Sequence, residues 1–213
     1  DGTTYSAGQF RAEFSEIFHG SKKYDASGSD RIQIDIVDEN DNKIDYRKFR
    51  TAWQNDNGRD RFRVIPLKLL DGGKKTEAKM QIPVLYLGLS RLFPIGEANE
   101  DKITTNKIKF IDDEQKKWFI EQYAKILSLY DTVTDVSNYS IGETDKKKGV
   151  GIETDKYDYL TNSSGQDNLG QILMSILSFK RLKKQREEWT GGLLLIDEID
   201  KADLEFPNDL LWE

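Results

Sequence analysis

Asn162-Ser163-Ser164-Gly165-Gln166-Asp167-Asn168-Leu169-Gly170 and, one helix later, Gly191-Gly192-Leu193-Leu194-Leu195-Ile196-Asp197-Glu198 decide how this chain is read. The second stretch is an apolar run, bounded by glycines, that stops abruptly at two adjacent carboxylates. A run of that length fits a buried strand of a parallel sheet. Open α/β sheets bind ligands beyond the carboxyl ends of their strands, where Asp197 and Glu198 emerge. Two carboxylates side by side are electrostatically costly unless a cation or a proton transfer calls for them. The first stretch opens a helix on which Leu169, Ile172, Leu173, Ile176 and Leu177 share a face, with Leu182 extending it. Serines and a glycine in its first turn leave amide N–H groups and the positive dipole end suited to a phosphate.

The rest of the composition narrows the chemistry. The chain has 213 residues, 37% hydrophobic and 33% charged, enough for one large domain or two small ones. There is no cysteine, so disulfides and thiolate metal sites are excluded and a reducing compartment fits. The single histidine, His19, removes histidine metal sites and Ser-His catalysis; just before Gly20 it reads as a helix C-terminal cap. A net charge of −6 argues against a broad nucleic-acid surface. No apolar run approaches a membrane span and the N-terminus has no signal-peptide pattern, so the expectation is a cytoplasmic protein without a membrane partner.

Taken in order, Ser6 is a plausible cap for a helix carrying Phe10, Phe14, Ile17 and Phe18 on one side, ended by Gly20. Ile32, Ile34 and Ile36 alternate with polar residues as in a half-buried strand. Strands over residues 44–53, 62–70 and 80–87 follow, separated by turns at 55–60 and 71–74. Val84-Leu85-Tyr86-Leu87 is continuously apolar and reads as central. Arg91, at the carboxyl end of that strand, can face an anion or pair with a surface carboxylate. Residues 99–109 read as a linker, Glu114 to Tyr130 as a helix capped by Asp112 or Asp113, and 137–148 as a loop ending in three lysines. Residues 149–159 read as a strand or hairpin arm. The basic run Lys180, Arg181, Lys183, Lys184 and Arg186 complements the helix dipole.

A serine-glycine helix start followed by an apolar strand ending Asp-Glu resembles the ATP-binding cassette superfamily, in particular its soluble branch of SMC heads and OLD-like ATPases. Ser163-Ser164-Gly165-Gln166 stands at the signature motif and Leu193 to Glu198 at the Walker B strand. The resemblance implies an α/β, P-loop NTPase-like head with an N-terminal antiparallel β subdomain and a helical insertion. Its segments would be residues 1–97 (helix plus β-rich subdomain), 98–160 (helical insertion) and 161–213 (signature helix and Walker B strand). It implies ATP and Mg2+ as cofactors, with Asp197 holding the metal and Glu198 positioning or deprotonating the attacking water. Ser163, Ser164, Gly165 and Gln166 would meet the nucleotide of a second copy in an ATP-sandwich homodimer, with Arg91 counted among the nucleotide-binding candidates. By layout, DNA or a nuclease is the implied further partner. Phosphoryl transfer asks mainly for positioning and charge stabilisation, which this residue set suits.

The chain departs from that pattern in two ways. No G-x-x-x-x-G-K-[ST] sequence occurs in it. Asp71-Gly72-Gly73-Lys74-Lys75-Thr76 has the composition without the spacing, and Gly2-Thr3-Thr4 at most the trailing edge. The expectation is a fragment that needs an upstream P-loop for ATP hydrolysis. The Gly88 to Glu97 segment, where the family has its loop between lobes, contains no glutamine, and no histidine follows Glu198. Secondly, Ile196-Asp197-Glu198-Ile199-Asp200-Lys201-Ala202-Asp203 with Phe206-Pro207-Asn208-Asp209-Leu210-Leu211 is similar to the region after Walker B in MoxR-like AAA+ ATPases. That alternative replaces the dimer by a ring and keeps the roles of Asp197 and Glu198. A non-catalytic interaction module on a degenerate ATPase fold is the reading from a different class.

Overall fold

The computed structural model describes residues 3–6, 8–12, 14–18, 20–70, 72–77, 82–129, 131–142, 147–187 and 191–199. Gly2, His19, Asp71, Lys146 and the tail from Asp200 lie outside the described residues, and with them the histidine cap and the MoxR-like continuation. The chain forms two compact units, Ala12–Ile82 and, from two stretches, Asp1–Arg11 with Pro83–Glu213. The fold is mixed α/β. Among the described residues no helix is long and apolar enough to cross a membrane.

The unit of Ala12–Ile82 is a short helix and an antiparallel sheet. Helix α1 (Phe14–Ile17) is followed by β1 (Gly28–Val37), β2 (Lys43–Asp56), β3 (Arg59–Leu69) and β4 (Lys75–Thr76), paired in that order. Asn57-Gly58 joins β2 to β3 as a two-residue loop with φ of 50° and 80°, the left-handed pair that matches strand twist. Between β1 and β2 the Asp38 carboxylate accepts the amides of Asn40 (2.8 Å) and Asn42 (2.9 Å). Phe14, Phe18 and Trp53 gather around Phe62, with ring centroids 6.2, 6.1 and 5.1 Å away.

The N-terminal helix expected over Phe10 to Phe18 is reduced to the four residues of α1. Before it, Thr4 accepts the Gly8 amide through its hydroxyl (2.9 Å), and Tyr5 is buried in the core of the other unit. The apolar spacing has two destinations. Phe10 packs against Phe179 (5.2 Å), whereas Phe14 and Phe18 pack within the sheet unit.

The larger unit holds the two stretches that opened the sequence reading. Strand β5 (Val84–Leu87) is parallel to the last described strand and is not a member of the antiparallel layer. Next come β6 (Ile103–Lys107), α2 (Asp113–Ile126), β7 (Val133–Ile141), β8 (Lys147–Thr154), α3 (Ser164–Gln185) and β9 (Leu193–Ile196). Strands β6, β7 and β8 form an antiparallel sheet in that order. Residues 98–160, expected as a helical insertion, thus contain three strands as well as α2. Within the stretch expected as a loop, residues 137–141 belong to β7 and Lys147 and Lys148 to β8. Ser137 and Tyr139 of β7 are buried beside Val136.

Helix α3 is the spine of this core. Leu169 and Leu177 of α3 are fully buried with Phe119 and Tyr123 of α2 and Val150 and Ile152 of β8. Burying a side chain of this size contributes roughly 1.5–3 kcal/mol. The predicted face of α3 is buried apart from the half-buried Ile176, but Asp167, Asn168, Ser175 and Ser178 are buried too. That wider arc is the feature that builds the site.

Candidate functional site

Strands β5 and β9 pair in parallel from Val84↔Leu193 to Leu87↔Ile196. The ladder runs one bond further, with the Asp197 amide donating to the Leu87 carbonyl at 3.0 Å. Asp197 and Glu198 therefore sit at the carboxyl ends of two parallel strands, as the apolar run predicted. The pair is less buried than expected: Leu193 is 48% exposed and the rest of β9 is half-buried. The Tyr86 hydroxyl donates to the Asp197 carboxylate at 3.2 Å. Glu198 is exposed and has φ of 47°. A left-handed backbone costs a residue with a Cβ roughly 1–2 kcal/mol, so neighbouring bonds must hold it there.

Arg91 supplies those bonds. It leaves β5 through Gly88 on the one-turn 3-10 segment Leu89–Leu92 and is only 1% exposed. Its Nε donates to Asn168 Oδ1 (2.8 Å) and its Nη1 to the carbonyls of Leu87 (3.2 Å) and Gly88 (3.0 Å). Its Nη2 donates to the carbonyls of Asp197 and Glu198, the latter at 3.3 Å. A guanidinium has five N–H donors, and all five are engaged by the protein. This overturns Arg91 as a phosphate ligand and equally as the partner of a surface carboxylate: its acceptors are backbone carbonyls and one buried amide. Burial lowers its affinity for the proton, and the carboxylate of Asp197, then Tyr86 and Glu198, oppose that shift.

The helix start is built by a reciprocal cap. The Ser163 hydroxyl accepts the Gln166 amide (3.3 Å), and the Gln166 side chain accepts the Ser163 amide (2.7 Å). Gln166 also donates to the Tyr157 hydroxyl at 2.9 Å. The Asp167 amide donates to the Ser163 carbonyl at 3.0 Å, which leaves Ser164 and Gly165 at the uncapped opening of the helix. Ser163, Ser164 and Gly165 are all exposed. A Cβ added at Gly165 would find only Ser163 Oγ, 3.9 Å away. Among the described residues nothing requires glycine there.

Sequence reasoning missed the polar layer beneath this opening. Asp167 is fully buried; it accepts the Ile95 amide at 2.9 Å and lies 3.5 Å from the Tyr139 hydroxyl. Burial pushes its carboxyl up to about 6, opposed first by the Ile95 bond. Asn162 donates to Asp167 at 3.3 Å in one amide orientation; turned over, it pairs with both the N–H (3.0 Å) and C=O (3.1 Å) of Ile152 and satisfies both its atoms. Gln171 donates to the Arg91 carbonyl at 3.3 Å. Asp167 and Asn168 stand beside apolar positions in the sequence, and that adjacency was the only signal.

Arg91 thus brings the two stretches together. Asn168 is the fifth residue of α3, about 7.5 Å along the axis from its cap, so the Ser163 cap and the Asp197–Glu198 turn occupy the same end of the unit. Among the described residues no group of three or more His, Cys, Asp or Glu could hold a metal. Mg2+ takes as few as one or two carboxylates and fills its shell with water and phosphate oxygens, so Asp197 alone is compatible with it. A cleft of about 500 Å³ lies elsewhere, beside Asp112 and Asp135, but those carboxylates are paired with Lys184 (2.8 Å) and Lys107 (2.9 Å). Compared with known protein families, curated proteins and solved structures, the chain matches none.

Proposed function

We propose that residues 1–213 belong to an ATP-hydrolysing head of the ATP-binding cassette type, completed by a P-loop from outside this stretch and by a second copy of the head. The observation that carries the proposal is Gly165: a helix opening with exposed amides and a glycine that no contact among the described residues demands. Such a glycine is accounted for by something outside the chain that must approach the backbone closely, as a nucleotide phosphate does. The Asp-Glu pair at the carboxyl end of β9 supports the same reading from the other side.

In this reading Asp197, fixed by the Tyr86 hydroxyl, would hold Mg2+ through water, and the bound metal would neutralise charge on the phosphates. Glu198 orients the attacking water and accepts its proton, for which an exposed carboxylate on a rigid strand end is suited. Ser163, Ser164 and Gly165 offer donors to the γ-phosphate bound to the partner head, while Gln166 serves the cap. On this reading the protein would act in the cytoplasm as a homodimeric ATPase; DNA or a nuclease as further partner rests on layout alone.

The test is Glu198→Gln in the chain that carries the P-loop. The amide keeps the shape and loses the base, so turnover falls at least about 100-fold, within the range for a general base, while ATP stays bound and the dimer tightens. Unchanged turnover sinks the assignment. The second reading, a non-catalytic module on a degenerate head, is favoured by the absence of a P-loop sequence from these residues. It requires that the P-loop chain have no ATPase activity either.

A further inference from the structure

Arg91 hydrogen-bonds both Asn168, in the second turn of α3, and the turn that follows β9, although the proposed function assigns the helix start and the strand end to two different nucleotides. The geometry points to Arg91 as a positioning residue: it locks the left-handed Glu198 turn to the first turns of α3, so that the carboxylate serving one nucleotide is set by the helix serving the other. For its catalytic half this rests on the ATPase reading.

Three observations carry it. The donors of Arg91 divide among three segments: the end of β5, the Asp197–Glu198 turn, and Asn168 of α3. The segment bearing Arg91 is itself held by α3, since Asp167 accepts the Ile95 amide and Gln171 binds the Arg91 carbonyl. It therefore moves with the helix. Finally, the residue at the far end of the link has a left-handed backbone, with φ of 47°, which is disfavoured for a residue with a Cβ. A displacement of α3 by a phosphate at Ser163–Gly165 reaches Glu198 through one planar, fully engaged guanidinium. Lysine, with three donors on a single nitrogen, cannot reproduce the five bonds that the planar fork distributes over these segments.

The experiment compares wild type, Arg91→Lys and the milder Asn168→Ala by amide hydrogen exchange of residues 1–213 and by ATP turnover of the chain with its P-loop. Exchange in the peptide covering Leu193 to Ile199 should rise about tenfold in Arg91→Lys and less in Asn168→Ala, with β7 and β8 unchanged. Turnover should fall about tenfold or more at a KM for ATP within about threefold of wild type. Unchanged exchange overturns the inference. So does faster exchange with normal turnover, which leaves a purely structural arginine, or a raised KM with normal kcat, which makes Arg91 a direct ligand. A wild-type chain without turnover sinks the ATPase reading only, and the exchange result alone then decides the link.

Discussion

Gly165→Ala separates a helix opening built for a ligand from one that is merely a helix opening, because its two effects have opposite signs. Gly165 is the second residue of α3, and its φ is not in the left-handed range that would exclude alanine. The added methyl meets nothing closer than Ser163 Oγ at 3.9 Å, an ordinary contact. Alanine also restricts the unfolded chain. Together these favour the variant by about 0.5–1 kcal/mol. For a protein of this size that is a rise in Tm of about 1–4 °C. The same methyl occupies the space over the Ser164 and Gly165 amides. If a phosphate must come there, one charge-assisted hydrogen bond is lost, worth roughly 1.5–3 kcal/mol. Turnover then drops about 10- to 150-fold.

The assays are thermal unfolding of residues 1–213 and steady-state ATP hydrolysis by the chain with its P-loop. A Tm that falls would refute the open packing around Gly165. A Tm that rises with undiminished turnover would refute the approach of a phosphate, and the proposed function would lose its main support. A structural role alone cannot raise stability and suppress activity at once.

The remaining predictions concern the layer under the site. Asp167 binds its proton more tightly folded (about 6) than unfolded (3.8), so the stability this contributes is complete below about pH 4 and is lost as pH rises through 6. The difference is roughly 2–3 kcal/mol. Asp167→Asn, which can still accept the Ile95 amide, should raise the urea midpoint at pH 7 and flatten its dependence between pH 4 and 7; a midpoint that falls at pH 7 would show that the carboxylate is needed in its charged form. A Cβ at Gly96 would run into the Leu160 carbonyl oxygen, a backbone atom that cannot rotate aside. Gly96→Ala should cost at least about 2 kcal/mol in chemical denaturation, and a loss under about 0.5 kcal/mol contradicts the close approach of these two segments.

Legibility in the sequence followed the reach of the forces involved. Helix α3 and strand β9 were readable because their signals are local: the Ser163-x-x-Gln166 cap, the apolar spacing, the glycines before Leu193. The β2–β3 hairpin was readable from its turn for the same reason. Helix α2 was readable as an element, but the full burial of Phe119 on it was not. Strand β7 was unreadable in its second half. Ser137, Asn138 and Ser140 have poor strand propensity, and only pairing with β6 on one side and β8 on the other makes them extended. The N-terminal phenylalanines follow helical spacing by coincidence of destination, Phe10 going to Phe179 and Phe14 to Phe62.

The site shows the same division and adds something that periodicity cannot express. Arg91 works through backbone carbonyls, which every residue has, so no sequence pattern marks its partners. Two other residues are legible only as mismatches between a side chain and its own backbone. Gly165 stands in a helix where alanine has room and would be more stable; Glu198 stands at a left-handed position where glycine would be free of strain. They are not the unit's only such conflicts, since Ser128 is left-handed too, with φ of 50°, and Ser137, Asn138 and Ser140 are extended against their propensity. Conflicts between local preference and fold are where function is expected to have overruled stability. What sets Gly165 and Glu198 apart is that they fall on the same end of one unit, linked through Asn168 and Arg91, and on the residues that a phosphate and an attacking water would each need in the proposed function.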